Sequence, residues 1–159
     1  MSSNNIVYRS ATLDDIDGIM ELWLESVDYH EVLDSRMSLN KDAIDNVRKF
    51  YSNKYFKDDS MLEVALYEGK IIGVLGAFIQ ESPPIHFDRK RGFIDIAFVS
   101  KKHRHHGIGT ILFERVLKWF KSAGLHKLRL YVASQNPTGI NFWKKIGFDD
   151  LMQTMEMTI

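Results

Sequence analysis

Apolar side chains recur at helical spacing near the start of the chain. Thr12 precedes this stretch as a candidate N-cap, and Asp14 and Asp15 place acidic charge in the first turn, which favours a helix start. The apolar positions that follow are Leu13, Ile16, Ile19, Met20, Trp23, Leu24 and Val27. Their spacing of three and four residues predicts an amphipathic helix. We also expect a short strand around residues 6–8 and a second helix over about residues 40–51.

The hydrophobic period changes to two in the middle of the chain. Apolar residues occupy alternate positions at Leu62, Val64 and Leu66. Glu68-Gly69 then forms a typical hairpin turn, so two antiparallel strands are expected, the second over residues 70–80. Residues 93–99 are apolar on both faces except at Asp95. This pattern is typical of a central strand, here carrying a single acid.

Helices and strands alternate in the last third of the chain. A helix over about residues 107–122 is ended by Gly124, and Asn136-Pro137 begins another helix. Between the two helices, residues 128–132 alternate as a strand, and residues 148–159 alternate weakly and are predicted to return to the sheet. The order of elements predicts a mixed sheet with helices on both faces.

Length and composition restrict the class of protein. The 159 residues suffice for one core, so we expect a single domain over residues 1–159. The absence of cysteine excludes disulfides, thiolate nucleophiles and Cys-ligated zinc within this chain. No apolar run approaches the ~20 residues that span a bilayer, and residues 1–5 do not resemble a secretory signal. The expected protein is cytoplasmic and binds no membrane.

The formal net charge of zero hides a difference between the halves. Residues 1–80 hold 8 Lys and Arg against 14 Asp and Glu, whereas residues 81–159 hold 13 against 7. The second half could therefore attract a polyanion and the first half a cation, with mutual salt bridging as the alternative. A neutral chain lacks the charge of a nucleic-acid binder, so no such partner is expected. The nearby histidines, His103, His105 and His106, fit no common zinc motif, and no metal is expected.

One loop has the composition of an anion-binding site. Residues 104–110 follow a strand and open a helix, and Gly107 and Gly109 free backbone N–H groups to face a ligand at the positive end of the helix dipole. Lys101 and Lys102 add positive charge beside it. An ordinary strand-to-helix turn is the alternative, but it does not explain this clustering of cations. Neither a dinucleotide fingerprint nor a P-loop is present.

These residues, taken with the elements around them, resemble a known family. The segments that carry the resemblance are Ile94-Asp95-Ile96-Ala97-Phe98-Val99, Arg104-x-x-Gly107-x-Gly109, Leu128-Arg129-Leu130-Tyr131-Val132, Asn136 and Phe142-Trp143-Lys144-Lys145-Ile146-Gly147-Phe148. They look like the GNAT superfamily of acetyl-CoA-dependent N-acyltransferases. The resemblance implies one GNAT-like domain of the α/β (α+β) class, with a mixed, twisted sheet of about six to seven strands flanked by about four helices.

The resemblance also implies a cofactor site. The pyrophosphate of acetyl-CoA would lie on the residues of the basic loop and helix start, namely Arg104, His105, His106, Gly107, Ile108, Gly109 and Thr110. Pantetheine would lie alongside Ala97, Phe98 and Val99. Asn136 matches a position that commonly contacts the CoA arm. Trp143 is grouped with these residues as a pocket-wall aromatic, with a place in the core as the alternative.

Amine acylation requires an ammonium group to lose a proton before attack. Asp95 is the candidate base, because its apolar neighbours make proton uptake by a carboxylate easier. The alternative is that Asp95 caps a neighbouring backbone or pairs with a buried arginine. The family's usual acid is a tyrosine at the position of Trp143, whose indole N–H is no practical proton donor. Tyr131 is the second choice, or else the thiolate leaves with amide stabilisation and is protonated by solvent.

The expected activity is acetyl transfer from acetyl-CoA to a primary amine of a small molecule or of a peptide or protein N-terminus. Direct attack in a ternary complex is expected, since no cysteine exists to carry the acyl group. Asp28, Tyr29 and His30 could line the acceptor pocket, or they could be a helix end packing on its neighbour. A CoA-binding module or sensor without turnover is the alternative function. A homodimer through an edge strand containing Met152, Met155 and Met157 is a family-level expectation.

Overall fold

The computed structural model describes residues 5–40, 42 and 44–159. Its strands are β1 (Ile6–Ser10), β2 (Ser60–Tyr67), β3 (Lys70–Glu81), β4 (Lys90–Val99) and β5 (Leu128–Leu130). Its α-helices are α1 (Ile16–Leu33), α2 (Ile44–Lys54), α3 (Ile108–Ser122) and α4 (Pro137–Lys145). Short 3-10 turns lie at Leu13–Asp15, Ser35–Met37 and Lys101–His103. The α+β class and the helices predicted from the sequence are confirmed.

The five strands form one mixed sheet in the order β1-β2-β3-β4-β5. The pairs β1–β2, β2–β3 and β3–β4 are antiparallel, and the pair β4–β5 is parallel. The β2–β3 hairpin turns at Glu68 and Gly69, which have φ angles of 49° and 77°. Positive φ at both central residues is the requirement of a type I′ turn, so the predicted hairpin is confirmed.

The strand count is lower than the six to seven expected. Residues 148–159 form no strand, and the prediction that they return to the sheet is wrong. Their apolar side chains are largely exposed, including Met155 at 87% and Ile159 at 108%. The sheet ends at β5, which is three residues long and therefore offers few backbone groups with which a sixth strand could pair.

Two apolar layers enclose the sheet. Helices α1 and α2 cover one face, where Ile19, Met20 and Val64 are almost fully buried. Helices α3 and α4 cover the other face, where Leu75 and Val116 are equally buried. Because β2, β3 and β4 are sandwiched between helices, their near-continuous apolar sequences bury side chains on both faces.

Strand β4 contains an irregularity at the acid noted in the sequence. Ala77 of β3 lies opposite Ile94, and the next residue, Gly76, lies opposite Ile96. Asp95 is therefore an extra residue in β4, which is a β-bulge. A bulge re-aims side chains, and here it turns Asp95 and Ile96 toward the same face, the one covered by α1 and α2.

Candidate functional site

From Asp95, the bulge residue, onward, β4 and β5 are separated by a gap. The parallel pairing ends at Ile94 and Leu130, so the rest of β4 has no partner strand on that side among the described residues. As whole residues Asp95 and Ala97 are exposed, although the side chain of Asp95 alone is only 18% exposed. Most of the exposed surface at Asp95 therefore belongs to the main chain, which can accept a ligand along the gap.

The Asp95 carboxylate is held by the C-terminal end of α2. The Tyr55 hydroxyl donates a hydrogen bond to Oδ1, and the Lys54 ammonium pairs with Oδ2. Tyr55 is 1% exposed, and burial, with the Asp95 charge beside it, raises the pKa of Tyr55. The hydroxyl therefore stays protonated and donates, which fixes the orientation of the carboxylate.

A second tyrosine supports this arrangement. Tyr51 stacks on Tyr55 with ring centroids 6.0 Å apart. Burial, followed by the charge of Asp95, raises the pKa of Tyr51 to about 12. Both tyrosines are therefore uncharged at neutral pH, and Asp95 is the carboxylate beside them.

Sequence reasoning missed Lys54 and Tyr55 because it ended the second helix at Tyr51. The helix runs to Lys54, and Tyr55 follows it with a helical hydrogen bond from its N–H to the Tyr51 carbonyl. The signal was present in the sequence. Apolar and aromatic residues continue at spacings of three and four through Ile44, Val47, Tyr51 and Tyr55.

Tyr131, the second catalytic candidate, lies just beyond the end of β5. Its side chain is exposed at 82%, and its ring meets that of Phe93 edge-on at 5.1 Å. Phe93 in turn contacts Phe78 at 5.4 Å. Aromatic rings therefore extend from β3 across β4 to Tyr131.

The basic loop presents an open helix N-terminus. His105 and Gly107 have φ angles of 66° and 78°, and Gly107 is the N-cap of α3. A Cβ at Gly107 would meet no described atom within 4 Å. The first intrahelical bond runs from Ile111 N–H to Gly107 C=O, which leaves the earlier N–H groups of the first turn available to a ligand.

The remaining residues of the loop add charge to this N-terminus. Lys101, Lys102, His105 and His106 are exposed. Ile108 is buried at 2% exposure in the core that α3 covers, whereas Gly109 and Thr110 are half-buried in the first turn. The arrangement of free N–H groups, positive helix end and lysines fits a phosphate group.

Arg104 reaches away from the helix N-terminus and toward α1. Its Nε donates to the Val99 carbonyl at 3.0 Å. Its guanidinium carbon lies 4.3 Å from the ring centroid of Tyr29 and 5.0 Å from that of Phe98. Arg104 therefore joins the end of β4 to α1 through cation–π contacts.

Two residues predicted for different subsites lie in contact. Asn136 is 8% exposed and caps α4, since its Oδ1 accepts a hydrogen bond from Gly139 N–H at 3.0 Å. The same oxygen accepts a bond from the Tyr29 hydroxyl at 3.2 Å. The Tyr29–Asn136 bond therefore connects the expected acceptor helix to the expected cofactor side of the gap.

The other acceptor candidates lie on the last turns of α1. Asp28 is exposed, and His30 Nδ1 lies 2.7 Å from the Ser26 carbonyl. The adjacent acid Asp34 pairs with Arg36 at 2.6 Å, and hydrogen bonds from Arg36 lower the pKa of Asp34. Asp28, Tyr29 and His30 thus belong to a helix end, and their role in lining an acceptor pocket stays a prediction.

Trp143 occupies the core. It is 8% exposed, and its ring lies 6.1 Å from that of Phe113 and 5.4 Å from that of Phe148, both edge-on. A Cβ at Gly109 would come within 3.2 Å of the neighbouring Phe142 ring. The aromatic residues of α4 therefore pack against the start of α3 and support the shape of its N-terminus.

The described part of the chain contains neither a cluster suited to a metal ion nor a membrane-spanning helix. Within residues 5–40, 42 and 44–159, His, Asp and Glu form no group of three or more that could hold a metal ion. No helix over the same residues is long and apolar enough to cross a membrane.

Comparison with known sequences identifies related proteins. A model of the acetyltransferase (GNAT) family matches residues 21–148. An uncharacterized N-acetyltransferase of Methanocaldococcus jannaschii is 26% identical over 147 residues, which cover 89% of this chain and 60% of the relative. This chain thus spans about three fifths of that relative's length.

Comparison with solved structures gives the same fold. A tetramutant of a Bacillus halodurans protein matches with a TM-score of 0.85 and 22% identity, over 96% of this chain and 99% of that one. A predicted acetyltransferase from Clostridium acetobutylicum, solved with acetyl-CoA, matches with a TM-score of 0.75 and 22% identity, over 96% of each chain.

Proposed function

The chain belongs to the acetyltransferase (GNAT) family, and on that premise we propose that it transfers the acetyl group of acetyl-CoA to a primary amine of a small molecule or a peptide N-terminus. The observation that carries the proposal is the bulged Asp95 at the mouth of the β4–β5 gap. A carboxylate is suited to receive the proton that an ammonium must lose. A single domain over residues 1–159 is part of the proposal.

The residues that would hold acetyl-CoA run from the helix N-terminus to the gap. The phosphates would lie at the N–H groups of Ile108, Gly109 and Thr110, with Lys101 and Lys102 nearby. The edge of β4 at residues 97–99, apart from the Val99 carbonyl that already accepts a hydrogen bond from Arg104, would hydrogen-bond the amide-bearing arm, with Asn136 on the other side of the gap. Acetyl-CoA supplies an activated thioester carbonyl to the site.

Asp95 would prepare the acceptor for attack. An ammonium has no lone pair, so one of its protons must pass to Asp95, directly or through water, before nitrogen can attack carbon. The Tyr55 hydrogen bond keeps the other carboxylate oxygen in place during this transfer. Because this chain contains no cysteine, direct attack on the thioester within a ternary complex is the simplest route.

Departure of the thiolate requires a proton or a hydrogen bond. Trp143 stands at the family's usual acid position, but it is buried among aromatic rings on the far face of the sheet. Tyr131 is exposed beside the gap and is the side chain we propose for this role. A homodimer stays a prediction, but the expected edge strand containing Met152, Met155 and Met157 is absent, because residues 148–159 form no strand. The three methionines are exposed.

The proposal is tested by measuring release of the CoA thiol from acetyl-CoA with a panel of primary amines. Wild-type protein should release thiol only when an amine is present. Asp95→Asn should lower kcat/KM by about 10²-fold or more and flatten its pH dependence, because the proton acceptor is lost. Acetyl-CoA binding should be retained, since the carboxamide has nearly the same shape.

Asp149→Asn, at an exposed position, is the matched control and should act like wild type. Full activity in Asp95→Asn would remove Asp95 from the mechanism. Tight acetyl-CoA binding without thiol release on any amine would contradict catalysis and indicate a CoA-binding module.

A further inference from the structure

The ammonium group of Lys54 lies in a small site built for a cation. Its Nζ pairs with Asp95 Oδ2 and lies 4.1 Å from the ring centroid of Phe78 and 5.3 Å from that of Phe50. A carboxylate and the faces of aromatic rings are the groups that bind alkylammonium ions. We call Asp95, Phe78 and Phe50 the ammonium site.

We propose that the ammonium site receives the protonated amine of the acceptor, and that Lys54 is an internal occupant which the acceptor displaces. The inference rests on the proposed function, which it deepens by naming the acceptor class. That class is an unbranched primary alkylammonium, because the group now in the site is itself an ammonium at the end of four methylenes.

The ammonium site is independent of Lys54. The Asp95 oxygen that does not contact Lys54 is fixed by Tyr55, which is buried. Phe78 belongs to β3, and Asp95 to the bulge of β4, both inside the paired sheet. Departure of Lys54 therefore leaves the carboxylate and the Phe78 ring in place to receive another cation.

The ammonium site is also accessible. The Lys54 side chain is 22% exposed, and Phe50, which forms the outer side, is 55% exposed. Asp95 begins the open stretch of β4 at which acyl transfer is proposed. An amine held on Oδ2 would thus lie beside the gap, with its proton next to the carboxylate that is to take it.

Competition by Lys54 sets the expected affinity. The Lys54 ammonium is attached to the protein and occupies the ammonium site in most protein molecules. A free alkylammonium therefore binds only to the fraction of molecules in which Lys54 has left the site. Removing the Lys54 side chain should therefore strengthen binding of a small alkylammonium. An uncharged analogue of the same length gains neither the ion pair nor the cation–π contact.

The test uses n-butylammonium as the probe, with no acetyl-CoA present, and measures binding by calorimetry. Lys54→Ala should bind the probe about tenfold more tightly than wild type, and n-butanol should bind to neither. Lys49→Ala removes an exposed lysine from the same helix and should bind like wild type. Equal affinity in Lys54→Ala and wild type would overturn the proposal.

Phe78→Leu in the Lys54→Ala background checks that the rings contribute, and it should lose most of the gained affinity. A measurement on unaltered protein covers the case in which Lys54→Ala does not fold. In wild-type protein labelled with 15N at the lysine side chains, added n-butylammonium should move the Nζ resonance of Lys54, and not that of Lys49, toward the position of an exposed lysine. An unchanged Lys54 resonance would contradict displacement.

Activity separates this inference from the proposed function. If Lys54→Ala binds n-butylammonium but neither protein releases thiol with any amine, the ammonium site stands and the acetyltransferase proposal fails. If wild type acetylates amines but the probe never competes with Lys54, the function stands and the acceptor subsite lies elsewhere.

Discussion

Among single residues, the carboxylates of Asp15 and Asp95 have contrasting partners. Asp15 receives two hydrogen bonds from the Arg9 guanidinium, at 2.6 and 2.8 Å, and two from Thr12. Its partners are neighbours in sequence and join β1 to the start of α1. Asp95 receives its partners from α2, about forty residues earlier, at an open edge of the sheet. Asp95 is therefore the carboxylate of the two that lies where a ligand can reach it.

Asp15 should contribute to stability in a pH window that can be measured. The hydrogen bond from Arg9 is the main cause that lowers the pKa of Asp15 from 3.8 to about 2. A lowered pKa in the folded state stabilises the fold above pH ~4, and this contribution is lost as the pH falls toward 2. Asp15→Asn should therefore reduce the free energy of unfolding by about 1–2 kcal/mol at pH 7 and by much less at pH 2.

Denaturant unfolding at the two pH values checks this prediction. The neighbouring Asp14 is exposed, and Asp14→Asn should change stability little at either pH. Equal losses for Asp15→Asn at pH 7 and pH 2 would show that the ion pair is not the cause.

At the scale of secondary-structure elements, local patterns and long-range contacts contribute differently to the site. The hairpin at Glu68 and Gly69 and the helix opening at Gly107 were predictable because turn and cap preferences are local. The position of Asp95 in a central strand was also predictable, but its bulge was not. A bulge depends on the register between β3 and β4, which a single strand's pattern does not encode.

Two further elements differ from expectation for physical reasons. The second helix extends to Lys54, and its apolar spacing continues to Tyr55, but that pattern does not show that Tyr55 packs closely over Gly76 of β3. The weak alternation of residues 148–159 resembles a strand, yet alternation without a long partner strand gives no ladder of hydrogen bonds.

Gly76 lets α2 approach the sheet at this point. A Cβ there would lie 2.4 Å from the Tyr55 hydroxyl oxygen and 2.4 Å from Ile96 Cγ2. Gly76→Ala should therefore push Tyr55 away from Asp95 and lower stability by about 1–3 kcal/mol, the usual cost of overpacking. The displaced tyrosine should titrate at lower pH, because burial and Asp95 are what raise its pKa.

Denaturant unfolding and the alkaline absorbance titration of the tyrosines measure the two effects. In Gly18→Ala the added Cβ would meet the side chain of Ile71 at 3.1 Å, and helix propensity favours the change. This control should be stable and keep the wild-type titration. A wild-type titration in Gly76→Ala would mean that Tyr55 does not depend on this close approach.

In the molecule as a whole, the sheet separates the groups proposed to bind the amine from the groups proposed to bind the phosphates, and both sets lie near the β4–β5 gap. The face covered by α1 and α2 carries the carboxylate and the ammonium site. The open N-terminus of α3, with its lysines, belongs to the layer on the other face. The Tyr29–Asn136 bond and the Arg104 contacts cross between them. The two charged sides of the proposed site do not follow the two halves of the sequence, because Asp95 belongs to the half with the positive balance and its partner Lys54 to the half with the negative balance.

The charge on the α3 side leads to a prediction about acetyl-CoA affinity. At 100 times its dissociation constant, acetyl-CoA should stabilise the wild type by about 2.7 kcal/mol and raise the melting temperature, while ATP and NAD should not match it. Replacing Lys101 and Lys102 together by Glu should weaken acetyl-CoA binding about tenfold at low salt, and less at high salt, because exposed charges are screened. Lys118→Glu with Lys121→Glu makes the same change in net charge on exposed positions of α3 beyond its first turn and should keep the wild-type affinity. Equal weakening by both pairs would mean that net charge, rather than the helix N-terminus, attracts the ligand.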